Sequence, residues 1–334
     1  MIRACTPECL CRSGAGIAFR HAGVGALRAW VIMFPSYTIP DPTPGLRKTP
    51  FWKKPHILLL TVPTLFFLIF LVLPLFFMLV VSFLKYQPMK IYTTQITVES
   101  YLRFIGDPFY RKVLWYTLKL SFAVTFFSLL IGYPLAYFLA RTQSQRKGMY
   151  LFLLLVPLMV GIIVRTYGWI VIMGKNGLIN NFLIALSIID RPIQILFTHT
   201  AVLVGIVEVL LPYMVLPIVS SIQKIPFSLE EAASSLGANR WSVLYRVVIP
   251  QSLPGVISGS VLVFTLTAGA IVTPALLGGP QIHTMGTVIY QLMVSTLNWP
   301  FGSASAFVLL VMEFLIVFLS INLLLPITRK GKRV

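Results

Sequence analysis

Four ionisable residues stand inside long apolar runs of this chain: Lys119, Arg165, Glu208 and Glu313. A charge at the centre of an apolar helix is expensive in hydrocarbon, about 2.5–3.5 kcal/mol on insertion scales for Lys, Arg or Asp. Two positives and two negatives can pair, or they can face a water-filled path; a carboxylate in such a place can also titrate and carry a proton. Lys119 lies only one to two turns into its run, so it is expected to snorkel to the interface. Arg165, Glu208 and Glu313 are the candidate path residues; Glu208 is central to its run, just ahead of Leu210-Leu211-Pro212-Tyr213. Structural pairing is the plainer alternative for each. Little else offers chemistry. Cys5, Cys9 and Cys11 have only Glu8 beside them, so no metal site is expected. His199 and His283 are isolated. No nucleophile–base spacing, no cofactor motif and no Gly-x4-Gly-Lys-Ser/Thr phosphate loop occurs, so the chain reads as neither an enzyme nor an ATP binder by that device.

The elements that must position these residues are membrane spans. The 334 residues are 57% hydrophobic and 11% charged, with a net charge of +18. Soluble domains carry about 25% charged residues, so an ordinary soluble enzyme is excluded. The positive charge sits in short clusters between apolar runs, unlike a nucleic-acid-binding face. Six runs suffice to cross a membrane at about 20 residues each: Ile57–Leu84, Val113–Ala140, Met149–Gly174, Gln194–Ile222, Ser252–Leu277 and Ala304–Thr328. Gly278-Gly279-Pro280 and Trp299-Pro300-Phe301-Gly302 are expected turns. The apolar stretches Ile179–Ile189 and Met285–Leu297 are too short to span and are expected to lie in the interface or re-enter. Proline and glycine punctuate the third run (Pro157, Gly161), the fourth (Pro212, Pro217) and the fifth (Gly269, Pro274), where broken helices can line a site.

Lys and Arg set the orientation. With the N-terminus inside, the inside segments carry 18 and the outside segments 7, so both termini are expected in the cytoplasm. Residues 1–55 read as an irregular cytoplasmic tail, with Met33 as an alternative start. Residues 56–328 read as the six-span domain and 329–334 as a basic tail.

The segment between the fourth and fifth runs is too polar to span and too apolar to float free. Ser228 with Glu231 has the spacing of a capping box. Gly237 suits a helix stop, Asn239 can cap a second helix, and Pro250 is expected to end it. Leu229, Ala232, Ala233 and Leu236 share one apolar face; Trp241, Leu244, Tyr245 and Val248 share another. Such a helix pair suits a partner's groove.

These residues carry a resemblance. Glu231-Ala232-Ala233, then Gly237, then Val247-x-Ile249-Pro250 resembles the EAA motif of permease subunits in binding-protein-dependent ABC importers, the MetI-like family. Val for Ile and Ile for Leu are mild departures. Val164-Arg165-Thr166-Tyr167-Gly168-Trp169, Leu276-Leu277-Gly278-Gly279 and Trp299-Pro300-Phe301-Gly302 are similar to segments of the polyamine-type branch, so the resemblance covers residues 55–328. It implies an all-α polytopic type I permease fold with coupling helices between spans 4 and 5. It also implies an inner-membrane location and transport by alternating access. Expected partners are a dimer of ABC ATPase subunits, a second permease subunit and a periplasmic binding protein, with membrane lipid and no nucleic acid. Glu231, Ala232, Ala233, Gly237, Ile249 and Pro250 would serve coupling to the ATPase. Where polyamine permeases often carry acids, this chain has Ala270 and Ala275, so an amine would have to find its counter-charge elsewhere, for instance at Glu208. The substrate would be a polyamine or a similar small organic solute. The rival classes are a proton-coupled carrier or an intramembrane enzyme working through Glu208 and Glu313.

Overall fold

The computed structural model describes residues 55–87 and 95–330. The three cysteines, Met33, nearly all of the expected N-terminal tail and residues 331–334 of the basic tail lie outside them. The described residues contain helices and one isolated bridge, Leu84 with Ile96. They belong to two units divided after Phe70. The first contributes the start of helix α1 (Pro55–Ser82), and the second holds all that follows.

Five helices are long and apolar enough to cross a membrane, and a bent pair, counted as one span, brings the number to six. The five are α1, α3 (Pro108–Arg141), which follows the short α2 (Glu99–Gly106), α7 (His199–Gln223), α9 (Arg240–Ala268) and α12 (Trp299–Lys330). The bent pair is α4 (Lys147–Met159) and α5 (Ile162–Met173), followed by the short α6 (Leu178–Ala185). Five to six crossings thus meet the six-run expectation, with changed ends. Trp299-Pro300-Phe301-Gly302 is no turn: it is the first turn of α12, where proline is favoured because its missing N–H has no helical partner anyway. The fifth run is longer at its start and shorter at its end. It begins at Arg240, stops at Ala268 and resumes as α10 (Val272–Gly278). The stretch Met285–Leu297 forms α11 (Met285–Ser295), capped by Thr284 and tied to α3, where the Met285 N–H donates to Thr117 Oγ1 at 2.9 Å.

The main core is α3 against α7 and α9. Helices in lipid gain little from the hydrophobic effect on each other, so close approach and dispersion must hold them. Small residues permit that approach. A Cβ on Gly255 would meet Ser221 Cβ at 2.5 Å and the Pro217 carbonyl at 2.6 Å; one on Gly259 would meet the Met214 carbonyl at 3.1 Å. Both lie on the α9 face that packs on α7. Gly132 of α3 similarly faces Met214 at 3.2 Å. Met214, Val215 and Ile218 are fully buried at this junction. α7 stays one helix through Pro212 and Pro217, so these prolines do not break it.

Gly255→Ala should therefore force α9 off α7, because backbone cannot move aside as a side-chain tip can. The expected loss is about 1–3 kcal/mol, read as a lowered midpoint in detergent thermal denaturation. An unchanged midpoint would show that this contact is slack.

Candidate functional site

Two breaks interrupt the crossings. The first is at Val160 and Gly161, both extended, where the chain turns by 93° between α4 and the α5–α6 segment. The second is Gly269–Ile271, between α9 and α10. Both border one cavity of about 410 Å³, with Tyr213 and Leu210 of α7 on its wall. Broken backbone at membrane depth is tolerated where protein or a wet cavity receives it. Arg165 is the one formally charged residue in the lining, with Tyr213 and Thr273 the polar side chains near it. Ala270 lines the same cavity; Ala275 lines a second of about 750 Å³, with Tyr167, Tyr290 and His283.

Arg165 and Glu208 come together. Arg165 Nη1 is 3.7 Å from Glu208 Oε1, and the Trp169 indole N–H donates to Glu208 Oε2 at 3.3 Å. Arg165 and Trp169 are one helical turn apart and so share a face. That spacing could have pointed to Trp169, which the sequence reading did not select. The ion pair is loose: Arg165 Nε and Nη1 are buried and make no hydrogen bond. Glu208 faces a further recess of about 310 Å³, with Tyr150 and Pro157. Glu313 is half-buried on α12 and takes part in neither of the ion pairs among the described residues. Lys119 is exposed, its ammonium 5.4 Å from the Trp115 ring centre, as an interfacial snorkelling lysine would be.

The expected helix pair between the fourth and fifth crossings forms, with two corrections. Helix α8 runs Phe227–Ser235 with Pro226 at its cap and no side-chain cap bond, so Ser228 and Glu231 make no capping box. The proline already pre-sets the backbone at the start, which moves the first turn ahead of Ser228. Glu231 is exposed, and its neighbour Glu230 is the buried one. Pro250 does not end the second helix. The Ile249 N–H bonds the Leu244 carbonyl, a wider turn over Leu244–Val248 that accommodates the proline, and α9 continues through it. Ile249 is half-buried and Pro250 exposed at that join.

The expected glycine stop and asparagine cap are both present. Gly237 has φ +87°, a conformation that favours glycine, and the Ala238 N–H returns to the Ala233 carbonyl at 3.1 Å. Asn239 Oδ1 accepts from the Ser242 N–H at 2.7 Å. Leu236 is 89% exposed, Trp241 66% and Tyr245 63%. Ala232 is exposed and Ala233 half-buried, while Val248 is buried. A cavity of about 930 Å³ opens beside the pair, walled by Tyr133 and Tyr137 of α3 and by Phe227, Glu231, Arg240 and Trp241. The helix pair thus leaves large apolar side chains and the Glu231 carboxylate exposed.

No protein-family model matches the chain. The spermidine/putrescine transport system permease protein PotB of Haemophilus influenzae is 38% identical over 249 residues, covering 75% of this chain and 87% of that protein. PotB of Escherichia coli K12 is 36% identical over 241 residues, covering 72% and 87%. The chain belongs to the PotB family of ABC-transporter permeases. The Escherichia coli inner membrane ABC transporter permease protein YdcU is more distant, at 27% over 280 residues, covering 78% of this chain and 88% of that protein. A chain in the crystal structure of a bacterial alginate ABC transporter, in complex with an alginate pentasaccharide-bound periplasmic protein, superposes with a TM-score of 0.63 at 18% identity. It covers 82% of this permease and 95% of that chain, which establishes the shared fold. Like its relatives, this permease is an inner-membrane transport subunit and not an enzyme. The carrier and intramembrane-enzyme alternatives fall with that membership.

The Arg165–Glu208 pair yields a direct check. In a double-mutant cycle with Arg165→Met and Glu208→Gln, detergent thermal denaturation should give a coupling of about 0.5–3 kcal/mol. Strict additivity would mean that the two groups do not act as a pair.

Proposed function

We propose that this permease imports spermidine, putrescine or a similar small organic amine as half of a two-permease path. Its helix pair at residues 227–250 transmits the motion of a separate ATPase dimer, and a periplasmic binding protein delivers the solute. Both termini lie in the cytoplasm, with residues 56–328 as the membrane domain. Glu231, Ala232, Ala233 and Gly237 form the ATPase-coupling element, with Ile249 and Pro250 joining it to the span. Arg165, Glu208 and Glu313 serve the translocation path. The observation that carries this reading is the exposure of Glu231, Leu236 and Trp241 on a helix pair directly continuous with a broken span.

Each part of the chain has a physical task in such a cycle. Ala232 leaves room for a partner surface to approach, and Gly237 makes the turn that aims the pair. α9 is one helix from Arg240 to Ala268, so a push on its first turn is delivered at Gly269, beside the cavity. Alternating access then needs the breaks at Val160-Gly161 and Gly269–Ile271 to change angle, which requires few backbone bonds to be remade. With Ala270 and Ala275 in place of acids, an amine would be recognised by the Tyr213 phenol, by carbonyls freed at the breaks and by Glu208. The energy comes from the ATPase, because this chain has no phosphate loop.

The test is a mild-detergent purification of the tagged chain from native membranes, with mass spectrometry of what accompanies it. An ABC ATPase should co-purify with the wild type. It should be lost when Glu231→Arg and Gly237→Asp are combined, while the chain itself stays folded. Retention of the ATPase by the folded double variant would move the coupling surface elsewhere, and its absence from the wild type would overturn the assignment.

A further inference from the structure

Beside the exposed coupling surface is a buried ionic cluster that the docking role does not use. Arg141 is in the last turn of α3, and Glu230 is in the first turn of α8. They form an ion pair with side chains 15% and 9% exposed. Arg141 also donates from Nη1 to the Ile225 carbonyl at 3.2 Å, and its guanidinium lies 5.9 Å from the Phe227 ring centre. The Tyr137 hydroxyl, one turn earlier on the same face of α3, donates to Glu230 Oε2 at 3.3 Å. Two side chains of α3 therefore grip four successive features of the loop: the carbonyl before the helix, the ring at its first residue, and both oxygens of its fourth.

We propose that Arg141 and Glu230, with Tyr137, form a clamp that makes α8 and the end of α3 one rigid lever. A force on α8 then reaches the α3–α7–α9 core through that clamp. Each charge sits at the helix end that favours it: the arginine at the C-terminal end of α3, the glutamate at the N-terminal end of α8. A buried pair of this kind adds little net stability over an apolar pair of like shape, yet leaving either charge alone is strongly unfavourable. Its contribution is geometry. The neighbouring glutamates divide the work, Glu230 turned in toward α3 and Glu231 turned out to solvent. Arg240 and Glu231, which line the adjoining cavity with Glu230, are exposed and do not replace either partner. Without the clamp, α8 would keep the turn at Lys224–Pro226, its link to α9 and the packing of Ala233 on the core, and its displacement would be absorbed in those joints. α7, which packs along α3, carries Tyr213 and Leu210 on the wall of the cavity between the breaks. These are positioning residues, and the transmission role rests on the coupling function proposed above; the clamp as a structural device does not.

Two measurements decide the matter. The first uses the isolated full-length chain in detergent and follows hydrogen exchange of the amides at 227–235. Arg141→Met should speed exchange at least about tenfold, because it strands a buried carboxylate. Adding Glu230→Gln to it should slow exchange back toward wild type, a non-additivity that mere loss of packing does not produce. Unchanged exchange in Arg141→Met, or additive effects in the double variant, would overturn the clamp. The second uses the complete transporter in proteoliposomes with labelled spermidine. Arg141→Met should keep the ATPase bound and hydrolysing, while spermidine moved per ATP falls at least about fivefold, within the range of a typical coupling energy. An unchanged ratio, or loss of the ATPase, would overturn the lever. If the wild-type chain binds no ATPase at all, the importer reading fails, and the exchange experiment still decides the clamp.

Discussion

Backbone amides and carbonyls in the hydrocarbon core have no water to turn to, and this constraint organises the molecule. A crossing must be helical or its freed groups must find protein or a wet cavity. Among the described residues the candidate crossings are helical except at Val160-Gly161 and Gly269–Ile271, and both breaks open on the same 410 Å³ cavity. Their convergence follows from the constraint: a break facing lipid would strand its backbone, so breaks gather where space and polar side chains are. The same space is where a solute would meet irregular backbone. α7, unbroken despite two prolines, supplies the rigid wall against which the broken crossings can turn.

Charge placement follows a second rule, that ions in a low-dielectric setting are paired or reach the interface. Lys119 reaches outward along Trp115. Arg165 Nη1 stands 3.7 Å from Glu208, whose other carboxylate oxygen accepts from the Trp169 indole. Arg141 and Glu230 are held by several groups at once. Arg165 of the looser pair lines the cavity between the breaks, while Glu208 faces a separate recess. The tighter pair sits at the joint between the bundle and the helix pair.

The crossings were legible because apolar runs of more than 20 residues have few other fates. The loop was legible because glycine, asparagine and the EAA spacing are local signals: Gly237 and Asn239 do what their types suggest. The errors arose where one local signal hid another. Pro226 starts α8 and makes the Ser228–Glu231 spacing irrelevant; Pro250 is absorbed by a wider turn whose existence depends on residues before it. Trp299-Pro300 reads as a turn by composition and as a helix start by position. Glu230 and Arg141 are 89 residues apart, and nothing local in either marks the other; only packing of α8 on α3 joins them. The Arg165–Glu208 pair was open to inference, since both lie within apolar runs with opposite charge, but the exclusion of Glu313 from it was not.

The central claim is that this chain carries solute by mechanical coupling to ATP hydrolysis and not by titration of its own carboxylates. It is tested most directly by loading membrane vesicles that hold the complete transporter with ATP on the cytoplasmic side and following labelled spermidine in the presence of its binding protein. The account predicts transport that requires ATP, stops with vanadate and persists when a protonophore collapses the proton gradient. Transport that proceeds without ATP and is abolished by the protonophore would contradict it, and would return Glu208 and Glu313 to the role of proton carriers.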